Sequence, residues 1–475
     1  MNNIYFSPNS MFDDFGRVFF MDNRVFRAIA PNSINDCKKL LNEPFFTELM
    51  DKGLIPKTII SDLEFADYEL VLEHEKLLNT LQHEWSFSMF KNAALTILEI
   101  MEICEKYNYE LKDAHTLNVL FRGGQAVYVD IGSFWKKKQD NWIAYAEFIN
   151  SFFIPLSFWS EGKYYITRLL LEKNFYKMQT IPGQTLEDSE LLKLLQKKNP
   201  FQYDFHILNK RLITTKSCSC FLSFVSRAVN KMASVLKGRK VMAAKYLRVI
   251  KDRDVIKKAV TDMNFPDSES LWKNYHSKFY GKDGKLASSK RFDRIIDIIK
   301  EIDSADKVNS ALDLAGNEGL ITFLIEERLK FKTVTLSDYD ENALVKAYEK
   351  REELDSKINT VLLNFMFPPN IESVSKRLKS DIVLALAVTH HLILTSHYLL
   401  STIFERVRSY SNKYVMIEFM PKGLWSIDNP VDVEIPDWYN EEWFKDEFQK
   451  YFDVLLVEKL EENRIMFVGK IKQIG

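Results

Sequence analysis

The last two hundred residues alternate short apolar runs with amphipathic stretches. "NSALDLAG", "KTVTLSDYD", "NTVLLNF", "SDIVLALAV" and "YVMIEFM" read as strands, and helical patterns separate the earlier ones. That alternation predicts an α/β fold with a parallel, doubly wound sheet. The final runs, "FDVLLVEK" and "RIMFVGKI", lie too close together for a crossover helix and predict an antiparallel edge hairpin.

The first half of the chain has a different rhythm. "GRVFF" and "RVFRAI" alternate around "MDN", which predicts a hairpin ending near Ala30. A helical stretch follows over 35–52, stopped by Gly53 and Pro56, and "YELVLEHEKL" begins like a strand. "SFSMFKNAALTILEIMEICEKYN" then has apolar residues at 87, 90, 94, 97, 98 and 101, the helical repeat, with Ser86 or Ser88 as N-cap. Mixed strands and helices in this order predict an α+β part.

A chain of 475 residues is too long for one hydrophobic core and points to two or three domains. Charge is balanced, 65 Lys+Arg against 66 Asp+Glu, so the chain as a whole gives no argument for nucleic acid or membrane. Residues 210–258 are the exception: fourteen Lys/Arg against Asp252 and Asp254 give +12. The segment reads as a solvated helical connector, or as a grip on an anionic partner such as a phospholipid surface, nucleic acid or phosphorylated glycan. It carries no specific RNA- or DNA-binding motif. The four cysteines (Cys37, Cys104, Cys218, Cys220) have neither CxxC nor zinc-ligand spacing, which fits reduced thiols in the cytoplasm. "WIAYAEFINSFFIPLSFW" contains Glu147 and a proline and reads as buried helix, not as a transmembrane segment. The N-terminus lacks the pattern of a signal peptide. A cytoplasmic location is therefore expected, peripheral to a membrane if the basic segment binds one.

Open α/β sheets bind ligands beyond the carboxyl ends of their strands, where backbone N–H groups open at a helix start. "LDLAGNEG" sits at such a point: Asp313 ends a strand, Gly316 and Gly319 permit tight turning, and Asn317 tolerates positive φ. At the end of the next strand, "LSDYDENAL" supplies Asp338, placed for a ribose diol, while Asp340 is the expected N-cap of the following helix. Together with "NFMFPP", "LALAVTHHL" and the antiparallel end, these residues resemble class I S-adenosylmethionine-dependent methyltransferases over about 200 residues from Trp272 onward. The resemblance implies a Rossmann-like domain over 269–475. It also implies S-adenosylmethionine held by Asp313, Ala315, Gly316, Asn317 and Gly319 (methionine part), Asp338 (ribose), and Asn364 and Phe365 (adenine). Two glycines of the family's motif are replaced, at Ala315 and Asn317. His390 and His391 face the expected acceptor side, where one could serve as a general base or the pair could line the wall. His390, His391, His397 and Glu418 are also conceivable metal ligands, without a known ligand spacing.

Upstream, "LKDAHTLNVLFRGGQAVYVDIGSF" spaces Asp113 and Asn118 as in a protein-kinase catalytic loop, and Asp130-Ile-Gly132 stands where the metal-binding Asp-Phe-Gly would. The segment therefore resembles a protein-kinase-like fold, here assigned to 1–205, with 206–268 as the basic helical connector. If active, Asp113 would be the base and Asn118 and Asp130 would hold Mg-ATP. The glycine-rich loop and strand lysine are missing; only Arg27 could replace the lysine, with Glu43 or Glu48 as its partner. "YELVLEHEKL", "EWSFSMFKNAALTILEI" and "VYVDIGSF" further resemble bacterial two-part proteins described as class I methyltransferases. The expected function is methyl transfer to a small-molecule or glycan acceptor, with the kinase-like part aiding substrate binding. The alternatives are a bifunctional kinase-methyltransferase and a non-catalytic scaffold on a membrane or polyanion.

Overall fold

The computed structural model describes residues 4–11, 13–65, 68–138, 142–172, 253–266, 286, 289–369, 371–425 and 435–472. Most of the basic segment, with Cys218, Cys220 and Trp272, lies outside them.

In chain order, short β1 (Tyr5–Phe6) precedes the hairpin β2 (Gly16–Met21) and β3 (Arg24–Ile29). The helical stretch that follows is two helices, α1 (Ile34–Leu41) and α2 (Pro44–Asp51), not one. Pro44 at the first position of α2 has no N–H to continue α1, so the chain restarts there. Next come β4 (Thr58–Ile60), β5 (Val71–His74), α3 (Phe87–Lys106), β6 (Tyr109–Leu111), the tight hairpin β7 (Val119–Arg122) and β8 (Gln125–Tyr128), and β9 (Phe134–Lys136). Helices α4 (Tyr145–Phe148), α5 (Ile154–Ser160), α6 (Tyr164–Glu172) and α7 (Arg253–Asp262) complete the first half.

The second half starts with α8 (Lys290–Ala305) and then alternates: β10 (Ser310–Leu314), α9 (Leu320–Arg328), β11 (Thr333–Asp338), α10 (Glu341–Glu353), β12 (Asn359–Leu362), α11 (Ile371–Leu378), β13 (Ser380–Ala385), α12 (Leu400–Ser409) and β14 (Ser411–Phe419). It closes with α13 (Glu441–Tyr451), β15 (Phe452–Glu461) and β16 (Arg464–Ile471).

The described chain forms two compact units. The first combines 1–96, 116–132 and 265–475, and the second combines 97–115 and 133–264, so α3 is divided between them. In the first unit an antiparallel sheet runs β1-β2-β3-β5-β4, and a seven-stranded sheet runs β12-β11-β10-β13-β14-β16-β15. β10 to β14 are parallel, while β16 pairs antiparallel with both β14 and β15. The strands are apolar on both faces because each face is covered. Ala311, Ile382, Leu384 and Met416 pack toward α8 and α9. Their neighbours Leu312, Val383, Val415 and Ile417 pack toward α12 and α13.

The second unit pairs β6 with β9 and buries Phe148, Phe152 and Trp159 of the stretch 142–159 as helix. Two cations of the basic run, Arg253 and Lys257 of α7, pair there with Glu105 and Glu102 of α3. Among the described residues, no helix is long and apolar enough to cross a membrane.

Candidate functional site

The carboxyl ends of β10, β11, β13 and β14 carry the chemistry. β10 ends on Asp313 and Leu314, and the chain then turns sharply, with left-handed backbone at Ala315 (φ 57°), Asn317 (φ 54°) and Gly319 (φ 79°). The two positions where the methyltransferase motif has glycine thus keep a glycine-like backbone although their side chains differ. Gly316 has no room for a side chain: a Cβ would meet the Asp313 carboxylate and lie 2.5 Å from Leu336 Cδ1. The turn is fastened to β11 by Gly316 N–H donating to the Ser337 carbonyl (3.1 Å), and α9 starts at once behind it.

Asp313 is buried, and its Oδ2 accepts from the Thr322 hydroxyl (2.8 Å). Its Oδ1 is buried with no partner among the described residues. Burial pushes its pKa up to about 7; the Thr322 hydrogen bond opposes this and the charge of Asp338 adds to it. Asp338 is clamped by backbone: Oδ2 accepts from Asn317 N–H (2.7 Å) and Oδ1 from Asp340 N–H (2.8 Å). Burial lifts it to about 6 against those hydrogen bonds. A third backbone bond, from Tyr339, adds to these, and of a carboxylate's roughly four lone-pair sites about one is left for a ligand hydroxyl. Asp340 is the N-cap of α10, accepting from Asn342 N–H (2.9 Å).

The adenine assignments fare differently. Asn364 Oδ1 accepts from Met366 N–H and Phe367 N–H, both at 3.1 Å, so the carbonyl expected to meet an adenine amino group closes its own turn. Phe365 is buried among Leu363, Met366 and Val374 in the core below the sheet. The large aromatic side chain exposed beside the acid is Tyr339.

Beyond β13, Ala387 is again left-handed (φ 48°) and the chain enters a π-helical turn over His391–Thr395. Such turns and strained residues concentrate at functional sites. The His390 and His391 rings lie 4.0 Å apart. His390 is buried, its Nδ1 has no partner among the described residues, and burial, then His391 and Arg464, hold its pKa well below the ordinary value. The ring is therefore neutral. Burial also lowers His391. Thr389 anchors this turn by donating to the Glu418 carbonyl (2.7 Å).

Glu418, fully buried at the end of β14, receives Arg291 through two bonds (2.7 and 2.6 Å) and Arg464 through a third (3.2 Å). Burial alone would raise its pKa, but the two guanidiniums outweigh it and hold the carboxyl below the ordinary range. This corrects the idea of Glu418 as a metal ligand. His397 is exposed, and among the described residues no group of three or more His, Cys, Asp or Glu stands ready for a metal ion. Arg291 and Arg464 are site residues that the sequence did not reveal: they lie 127 and 46 residues from Glu418, with no local pattern linking them.

The kinase-like residues divide between the units, Asp113 in the second and Asn118 and Asp130 in the first. Arg27 on β3 is buried and donates to Asp13 (3.0 Å) and Asp130 (3.3 Å), so its partners are not Glu43 or Glu48. Glu43 is the N-cap position of α2 instead. Asp130 Oδ1 also accepts from Gly132 N–H (3.2 Å), and Asn118 Nδ2 donates to the Tyr128 hydroxyl (3.2 Å). In the second unit, Ser133 Oγ accepts from Asp113 N–H (3.0 Å). Glu147 accepts from Ala114 N–H (2.6 Å) and is raised by burial, with the Asp113 charge adding to it.

No family model matches the chain. It is 23% identical over 432 residues to the nodulation protein NoeA of Rhizobium meliloti (strain 1021), covering 86% of this chain and 84% of that one. Solved structures similar to parts of it include the PH0226 protein of Pyrococcus horikoshii OT3 (19% identity, 42% of this chain, 99% of that one, TM-score 0.32). A second is an S-adenosylmethionine-dependent methyltransferase of Clostridium acetobutylicum ATCC 824 (15%, 42% and 99%, 0.32). A third is the bifunctional kinase-methyltransferase WbdD (16%, 39% and 41%, 0.29).

Proposed function

We propose that the chain is a methyltransferase using S-adenosylmethionine. The observation that carries the reading is the junction of β10 and β11: a turn left-handed at Ala315, Asn317 and Gly319, beside a backbone-clamped acid with a lone pair to spare. The cofactor fits these residues. Gly316 lets the turn close tightly against Asp313 and Leu336, the Asp313 Oδ1, unpartnered among the described residues, suits the cofactor's ammonium, and Asp338 suits a ribose hydroxyl. When bound, the cofactor supplies an electrophilic methyl group. The chain's own contribution is then alignment of the acceptor, which is worth more than any single catalytic group in such a displacement.

A neutral His390 whose Nδ1 has no partner among the described residues is suited to hold an acceptor hydroxyl or amine, and His391 would take the proton that the acceptor gives up. A small-molecule or glycan acceptor remains our reading. For the N-terminal part we infer a kinase-like scaffold that serves this site without phosphoryl transfer of its own. The buried Arg27 already neutralises Asp130, the residue that a nucleotide-bound metal would need.

Titration calorimetry with S-adenosylmethionine tests the reading. Saturable binding is expected. Asp338→Ala should weaken it about ten- to a hundredfold for each ligand hydrogen bond lost, since a hydrogen bond to a charged group contributes about 1.5–3 kcal/mol. Absence of binding to the wild-type chain rules the proposal out, and a melting temperature raised by Mg-ATP would overturn the scaffold reading.

A further inference from the structure

We propose that Glu341, Tyr348 and Arg351 are positioning residues through which the N-terminal part of the first unit fixes the acidic loop 338–340; this rests on reading that loop as the cofactor's ribose site. The loop runs straight into α10, whose first residue is Glu341. Glu341 Oε1 accepts from Phe87 N–H (2.8 Å), a bond between residues 254 apart in sequence. The other end of α10 is held as well. Tyr348 donates its hydroxyl to the Gly124 carbonyl (2.5 Å), and Arg351 Nη1 donates to the Gly123 carbonyl (2.6 Å). Gly123 N–H closes the set by donating to Asn359 Oδ1 (3.1 Å) at the start of β12, the strand paired with β11.

The β7–β8 turn is shaped for this seat. Gly123 and Gly124 are both left-handed (φ 49° and 78°), the pair that a two-residue hairpin demands. A Cβ at Gly123 would lie 2.5 Å from the Lys357 carbonyl oxygen, and one at Gly124 would lie 2.5 Å from Arg351 Nε. Tyr348, Arg351 and Asn359 are all buried, so these bonds are shielded from water.

The consequence reaches Asp338 through two rigid links. Helix α10 is bonded at both ends to the N-terminal part, and its cap Asp340 supplies the N–H that holds Asp338 Oδ1. A shift of α10 about this seat therefore moves the carboxylate, and small misplacements in a ligand site are costly.

The test uses the full chain and S-adenosylmethionine. Glu341→Ala removes the acceptor of Phe87 N–H, and Tyr348→Phe removes one hydroxyl; each should weaken binding about five- to tenfold, within the usual range of coupling between sites. Glu341→Gln keeps an acceptor oxygen and should bind within about twofold of wild type. Linkage supplies a readout that needs no variant. If the docked hairpin tightens cofactor binding, the cofactor must tighten hairpin docking by the same factor, so it should slow hydrogen exchange at the Gly123 amide five- to tenfold. Wild-type binding with unchanged Gly123 exchange, and variants that bind like wild type, would overturn the inference while leaving the cofactor reading intact. Failure of the wild type to bind would remove both.

Discussion

Asp313 shows how one buried carboxyl ties stability to pH. In the unfolded chain it ionises near 3.8; folded, burial keeps its proton until about pH 7. The folded state therefore holds a proton that the unfolded state has released, and the contribution of Asp313 to stability falls as pH rises from about 4 to 7, then levels. Asp313→Asn keeps an oxygen for the Thr322 hydroxyl but cannot ionise. Thermal unfolding of the two proteins should show the variant gaining stability relative to wild type between pH 5 and pH 8. A pH-independent difference would mean that Asp313 is ionised in the fold across that range.

Among the elements, the turn from β10 into α9 is the most constrained. Ala315 is held at φ 57°, a conformation that strains an L-residue by about 1–2 kcal/mol. Ala315→Gly should relieve that strain and, after the entropy of a freer unfolded chain, stabilise the protein by about 0.5–1 kcal/mol in denaturant unfolding. Gly316→Ala should destabilise by about 1–3 kcal/mol, because its Cβ has only the Asp313 carboxylate and Leu336 to push against. Opposite outcomes for neighbouring residues separate a backbone requirement from a packing requirement. α1 and α2 show a different balance: hydrophobic period marked one helical stretch, and a single proline split it.

For the whole molecule, the first unit draws on three separate segments of chain. Besides the hairpin seat, Arg377 of α11 grips the buried Glu84 through two bonds (2.9 and 2.5 Å), and Leu78 packs against the core below the seven-stranded sheet. A fragment of residues 265–475 loses all of these partners. It should melt at a lower temperature than the full chain and bind more of a hydrophobic dye, as checked by calorimetry and fluorescence. A fragment as stable as the full chain would show that the N-terminal segments merely rest on the sheet.

The sequence by itself determined the elements whose signal is local. Alternating runs marked all seven strands of the large sheet and its antiparallel end, and the spacing of acid, glycine and asparagine marked the β10 turn, because periodicity and backbone preference act over a few residues. The N-cap role of Asp340 was legible for the same reason. Only the tertiary structure decided which distant groups meet. Arg291 and Arg464 reach Glu418, Arg27 reaches Asp130, and the Gly123–Gly124 turn reaches α10, across separations in sequence of 46 to 228 residues. It also reassigned Asn364 and Phe365, one to its own turn and the other to the core. A charged or aromatic side chain looks the same in sequence whether it will meet a ligand, a counter-charge or the core; the packing around it chooses, and packing depends on every segment at once.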